Sequence, residues 1–160
     1  MIEWITTTTL GKFLTTMVIS MLPVIELRGG IPYGILLGLD FPMAVVAAVI
    51  GNMIPVPFIV YFIEEIFKWM KVHLPKLGGF IARMEAKAES KRAMIDKYGS
   101  IGLIILVAIP LPGTGAWTGS LVAALLGIKP VKAFPCIFLG VLIAAAIMTT
   151  LTKLGIMAFF

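Results

Sequence analysis

The chain has 160 residues, of which 60% are hydrophobic and only 13% charged, with a net charge of +5. A mean hydropathy of +1.08 excludes a soluble enzyme, a disordered tail and a secreted mini-protein, and reads as a single integral membrane domain. One cysteine, Cys136, and one histidine, His73, exclude an intrachain disulfide, a CxxC site and a zinc site of the His/Cys kind, so no metal and no cofactor is expected.

The N-terminus, Met1-Ile2-Glu3-Trp4, carries an acid where a signal peptide needs positive charge, so cleavage is not expected. Residues 5–22 are mainly apolar, with four consecutive threonines and Lys12 among them. They meet Pro23-Val24-Ile25-Glu26-Leu27-Arg28-Gly29-Gly30-Ile31-Pro32, whose prolines, glycines and charges leave no uninterrupted helix. The arm 33–39 is too short to cross a bilayer and ends at Asp40-Phe41-Pro42. Residues 41–63 form the one full crossing of this half, about 34 Å at a helical rise of about 1.5 Å per residue. Asn52, with Pro55 and Pro57 after it, marks a polar kink there. It either faces the same cavity as the charged stretch or makes a helix–helix hydrogen bond.

The polar middle, 64–99, holds Lys68, Lys71, Lys76, Arg83, Lys87, Lys91, Arg92 and Lys97 against Glu64, Glu65, Glu85, Glu89 and Asp96. That basic excess reads as the positive-inside signal of a cytoplasmic segment and not as a nucleic-acid surface. Phe80, Ile81, Met84, Ala88, Ile95 and Tyr98 recur at helical spacing, with Gly78-Gly79 before them and Gly99 after. One amphipathic helix is predicted, lying on the membrane or packed on the protein's cytoplasmic face.

The second half repeats the plan. Residues 101–109 are a short arm that meets Pro110-Leu111-Pro112-Gly113-Thr114-Gly115-Ala116-Trp117-Thr118-Gly119. A second short arm reaches Ile128, and Lys129-Pro130 turns the chain into a long final segment. At an offset of 89, Pro23 falls on Pro112, Gly30 on Gly119, Leu36-Leu37-Gly38 on Leu125-Leu126-Gly127, Ala44 on Ala133 and Gly51 on Gly140. The matches include the breakers and the turn glycines, which is what an internal repeat of the architecture requires.

The fold expected is all-α and integral to the cell membrane, multi-pass, in two repeats of about 1–63 and 100–160. Each repeat is a re-entrant helical hairpin followed by a transmembrane helix, and the segment 64–99 joins them. With 64–99 inside, the first hairpin enters from outside and the second from inside, so the repeats are inverted. Broken helices meeting at the midplane of inverted repeats are a transporter architecture.

The two broken tips carry the candidate site. Glu26 and Arg28 are the only charges between Lys12 and Asp40, and charges at membrane depth face a protein interior or a wet cavity. They either form a mutual ion pair that locks the loop or bind substrate together. Beside Gly29 and Gly30, backbone amides at the start of the arm favour an anion, and the arginine fork suits phosphate or carboxylate. The desolvated Glu26 is a candidate proton carrier, although Arg28 beside it would favour the ionised form. The second tip offers Pro112, Gly113, Thr114 and Gly115, then Trp117 and Thr118, as backbone, hydroxyl and ring surface. Its glycines allow a close approach, either to a ligand or between helices. No Ser-His-Asp, paired-carboxylate or metal constellation is present, so an enzyme is not expected.

The two tip segments, 23–34 and 110–119, resemble the two motifs of the small multidrug export proteins. The layout is also similar to the DedA and VTT superfamily, which has two opposed re-entrant hairpins. Members of that superfamily are implicated in moving polyprenyl phosphates or phospholipids, some with proton coupling. That resemblance implies a role for Glu26 as the acidic proton site of the first hairpin. The DedA-type second hairpin carries arginine near its Pro-Gly; here Thr114 and Trp117 stand there, and Arg28 would supply the charge.

The leading expectation is therefore a transporter or flippase for an anionic membrane lipid such as a polyprenyl phosphate. Arg28 and the tip amides would hold the phosphate while Glu26 exchanges protons. Two alternatives stand beside it: an exporter of small hydrophobic or cationic compounds, recognised by Glu26 and the Trp117 ring, and a non-transporting scaffold whose basic middle segment binds a partner. A homodimer would thicken the wall that so short a chain forms around a substrate path.

Overall fold

The computed structural model describes residues 2–155, and among them every regular element is helical. The first half comprises α1 (Ile2–Thr7), α2 (Thr9–Ser20), α3 (Glu26–Leu36), α4 (Phe41–Met53) and α5 (Pro55–His73). A 3-10 turn at Pro75–Leu77 leads into α6 (Gly78–Glu89) and α7 (Arg92–Tyr98). The second half is α8 (Ser100–Ala108), α9 (Ala116–Leu125) and α10 (Pro130–Lys153). Thr8 separates α1 from α2 by capping the latter, its hydroxyl accepting from the Gly11 amide at 3.1 Å.

Four local expectations are corrected. The break in 23–32 is shorter than its composition suggests: α3 resumes at Glu26 and carries Pro32 inside it, at the loss of the bond a residue 32 amide would give the Arg28 carbonyl. The crossing that starts at Phe41 does not stop at residue 63. It continues, kinked at Ile54 before Pro55, to His73. The middle helix is two helices, because the chain turns at Ser90–Lys91, where the Ser90 hydroxyl donates to the Lys87 carbonyl. Gly78 and Gly79 belong to α6 instead of preceding it.

Among the described residues, two segments are long and apolar enough to cross a membrane, Phe41–His73 and Pro130–Lys153. Apolar helices gain little from mutual burial in lipid, so close backbone approach has to hold them. Small residues supply it. Ala44, Ala47, Ala48 and Gly51 are buried along α4, where α2 and α3 pack. A Cβ on Gly51 would strike the Met17 carbonyl of α2. In the other half, Gly140 of α10 lies so close to α8 that its Cβ would meet the Ile104 carbonyl at 2.9 Å. The core joins both halves, with Leu27 and Ile31 of α3 packed among Leu103, Val107, Ile137 and Val141.

The bounds of α8, α9 and the start of α10 fall within two residues of α2, α3 and α4 shifted by 89. The caps agree in detail. Leu39 N donates to Gly34 O at 3.0 Å around Gly38, and Ile128 N donates to Ala123 O at 2.8 Å around Gly127. Both glycines are left-handed, at φ +86° and +72°, as a Schellman C-cap requires. Lys12 is accounted for at the first of these caps. Its ammonium lies 3.2 Å from where a Gly38 Cβ would stand, next to the C-terminal carbonyls of α3, which attract a cation.

Candidate functional site

The loops 21–25 and 109–115 each lie between two short helices, and the structure brings them together. Glu26 opens α3 at φ +49°, the one non-glycine residue with positive φ among those described. A carboxylate side chain in that region is strained by about 1 kcal/mol or more. The strain is offset by what it achieves: Glu26 is only 4% exposed, and its Oε1 accepts from the Trp117 amide at 3.2 Å, in the first turn of α9. The positive end of α9 thus receives a carboxylate from the other half of the chain. Gly115, at φ +108°, precedes α9, and a Cβ there would collide with the Glu26 carboxylate. Glycine is required on both counts.

Two further bonds join the tips. The Trp117 indole Nε1 donates to the Met21 carbonyl at 2.9 Å. Arg28 donates through Nη2 to the Thr114 hydroxyl oxygen at 2.8 Å. That hydroxyl reaches back to the Ile109 and Leu111 carbonyls, both at 2.6 Å, and so braces the loop. Glu26 and Arg28 form no ion pair with each other; each binds the opposite tip. The mutual lock considered from sequence is therefore not how the two charges are used.

A cavity of about 260 Å³ opens beside this junction, lined by Glu26, Arg28, Pro112, Gly113, Thr114 and Thr118 together with Pro23, Val24 and Lys87. A guanidinium has five N–H donors and Thr114 takes one, so Arg28 keeps donors for a ligand. A second, apolar groove of about 410 Å³ shares Pro23, Val24, Lys87 and Thr118 with it. Its other walls are Ile59, Ile63 and Phe67 of α5, Phe80 and Met84 of α6, and Trp117 and Leu121 of α9. A polar pocket with two cations and one acid thus shares a wall with a hydrophobic trough.

Of the residues singled out from sequence, Glu26, Arg28, Pro112, Gly113, Thr114 and Thr118 line the polar cavity and Trp117 the apolar groove. Gly29, Gly30 and Asn52 line neither. Gly29 and Gly30 are packing positions, where a Cβ would strike Ile25 and Ser20 respectively. Asn52 is buried with both amide atoms unpartnered, so it makes no helix–helix hydrogen bond. The amides expected to hold an anion at the start of the Gly30 arm lie inside α3, where the Gly29 amide donates to the Ile25 carbonyl at 3.1 Å, and at the second tip the Trp117 amide is taken by Glu26. Lys87 was absent from the sequence expectation. Its signal was its spacing, three residues after Met84 and seven after Phe80, which puts it on the apolar face of α6.

Two apolar segments of crossing length, small-residue packing and a buried charged junction among the described residues are features of a helical membrane protein. The family described as "Putative small multi-drug export protein" matches residues 26–147, and the chain belongs to it. The match begins at Glu26, after the first loop, and encloses the second tip. No curated protein and no solved structure matches the chain.

Proposed function

We propose that the protein transports an amphiphile with an anionic headgroup, a lipid phosphate of the polyprenyl phosphate kind, across the cell membrane. The observation that carries this reading is the placement of Arg28 and Lys87 in one cavity that shares a wall with an apolar groove. A headgroup would sit between the cations and the Thr114 and Thr118 hydroxyls, with its tail in the groove. Glu26 is the proton exchanger in this reading: when it leaves the α9 amides it also frees them for the anion. The site binds and releases; no bond is made or broken.

The same reading takes α2–α3 and α8–α9 as re-entrant hairpins of two inverted repeats in one domain, with 64–99 cytoplasmic, as in the DedA and VTT superfamily. The support is the constant offset of helix bounds and the matched Schellman caps. The test is movement of polyprenyl phosphate across proteoliposomes for the wild type, Arg28→Ala and Glu26→Gln at two pH values. Transport is expected to be lost in Arg28→Ala, and its pH dependence to be lost in Glu26→Gln. Full transport by a well-inserted Arg28→Ala protein would sink the reading.

Export of small hydrophobic or cationic compounds is the second reading, favoured by the family's description and by the Glu26 carboxylate in the cavity wall. Drug efflux from vesicles that Glu26→Gln abolishes and lipid phosphates do not inhibit would place it first.

A further inference from the structure

We infer that Lys87 is a second headgroup ligand, and that it makes the site prefer anions of charge −2 over anions of charge −1. The inference rests on the anionic-amphiphile reading and adds to it a residue, from the polar segment 64–99, and a charge preference.

Lys87 stands at the junction of the polar cavity and the apolar groove and lines both. Its ammonium is directed at the second tip, 3.5 Å from where a Gly113 Cβ would be. Its orientation is set by packing. Ile81, six residues before it, and Ala88, directly after it, are buried at 0% and 1% exposure, and α6 packs on α5 and α9. Rotating α6 to carry Lys87 into solvent would expose both.

The partners of the other charges sharpen the point. Three ion pairs occur among the described residues, Lys68–Glu65, Lys71–Glu85 and Arg92–Glu89. All are on the exposed surface, and Glu85, two residues before Lys87 on the same helix, is committed to Lys71. Lys87 is partly buried and has no ion pair. Arg28 opposite it bonds only a neutral hydroxyl. The one acid in the cavity wall, Glu26, has its Oε1 turned to the α9 amide and attracts Arg28 and Lys87 from beyond ion-pair distance. Two cations facing one small cavity, neither paired with a carboxylate, suit a headgroup that offers negative charge to both. A phosphate monoester carries two charges above its second pKa of about 6; a diester or carboxylate carries one. Because Arg28 and Lys87 belong to different parts of the fold, such a headgroup would also tie α6 to the tips.

The test compares dodecyl phosphate with dodecyl methyl phosphate at pH 8, using the full chain in phosphatidylcholine nanodiscs. Binding is read from Trp117 emission in a Trp4→Phe, Trp69→Phe background, since Trp117 lines the groove. The monoester is expected to bind on the order of tenfold more tightly, the effect of one added charge interaction at a partly buried site. Lys87→Gln should bring the ratio close to one while both ligands still bind, and Lys87→Arg should keep the preference. Lys87→Met retains the apolar stem and gives the same readout should the glutamine variant lose α6. An unchanged preference in Lys87→Gln and Lys87→Met, or equal affinities in the parent, would overturn the role of Lys87 and leave the anionic-amphiphile reading intact. Failure of both amphiphiles to bind the parent saturably would overturn the two together.

Discussion

Glu26 is the residue on which the junction turns, and the glycine facing it is the sharpest place to perturb it. Gly115→Ala introduces a Cβ into the Glu26 carboxylate at a φ of +108°. The clash relaxes only when the Glu26 carboxylate swings off the Trp117 amide, and the backbone strain remains. A loss of about 2–4 kcal/mol is expected from the two together, read as a fall in unfolding temperature in detergent and accompanied by loss of transport. Gly113→Ala is the control, because its Cβ would meet only the mobile end of Lys87, at 3.5 Å. It should cost about 1 kcal/mol, from the left-handed backbone alone. Asn52 gives the opposite expectation. Both its amide atoms are buried without partners, a state that costs about 1–3 kcal/mol per group. Asn52→Leu should therefore raise stability, and lowered stability would mean that the amide is hydrogen-bonded after all.

At the scale of elements, the paired C-caps are the best test of the internal repeat, since a shared device should fail equally in both places. Gly38→Ala and Gly127→Ala each force a side chain into the left-handed region. A Cβ at Gly127 has open space and one at Gly38 meets only the end of Lys12. Each substitution should cost about 1 kcal/mol, and costs differing severalfold in thermal unfolding would argue that the two caps carry different loads. These caps were legible in the sequence because glycine after an apolar arm is a local signal, as are the prolines and charges that break the tips. The pairing of Glu26 with α9 and of Arg28 with Thr114 was not, since it depends on how two loops 86 or more residues apart are docked. Lys87 was hidden for a related reason. Its spacing put it on the apolar face of α6, but only the docking of that face on α9 turns a snorkelling lysine into a wall of the site. The split of the middle helix at Ser90 was also obscured, because its apolar spacing runs on across the turn.

For the whole molecule the open geometric question is the relation of the halves to the membrane, and the helix starts of α4 and α10 decide it. Asp40 and Lys129 occupy equivalent places 89 residues apart, each the N-cap of a crossing-length segment, and both are exposed. A parallel repeat puts them on one side of the bilayer. An inverted repeat puts them on opposite sides, with Asp40 outside and Lys129 beside the basic segment 64–99, where the positive-inside preference draws it. In a Cys136→Ala background, Asp40→Cys should react with an impermeant maleimide added to intact cells. Lys129→Cys should react only after the membrane is opened. Lys76→Cys, in the 3-10 turn that follows α5, fixes the side of the middle segment and should behave as Lys129→Cys does. Reaction of both Asp40→Cys and Lys129→Cys from outside would make the repeats parallel. The two tips would then enter from one face, and a headgroup held between them would have no route to the other leaflet through that junction. Opposite accessibility leaves the tips approaching from the two faces, so that breaking the Glu26–Trp117 and Arg28–Thr114 contacts opens a path between them.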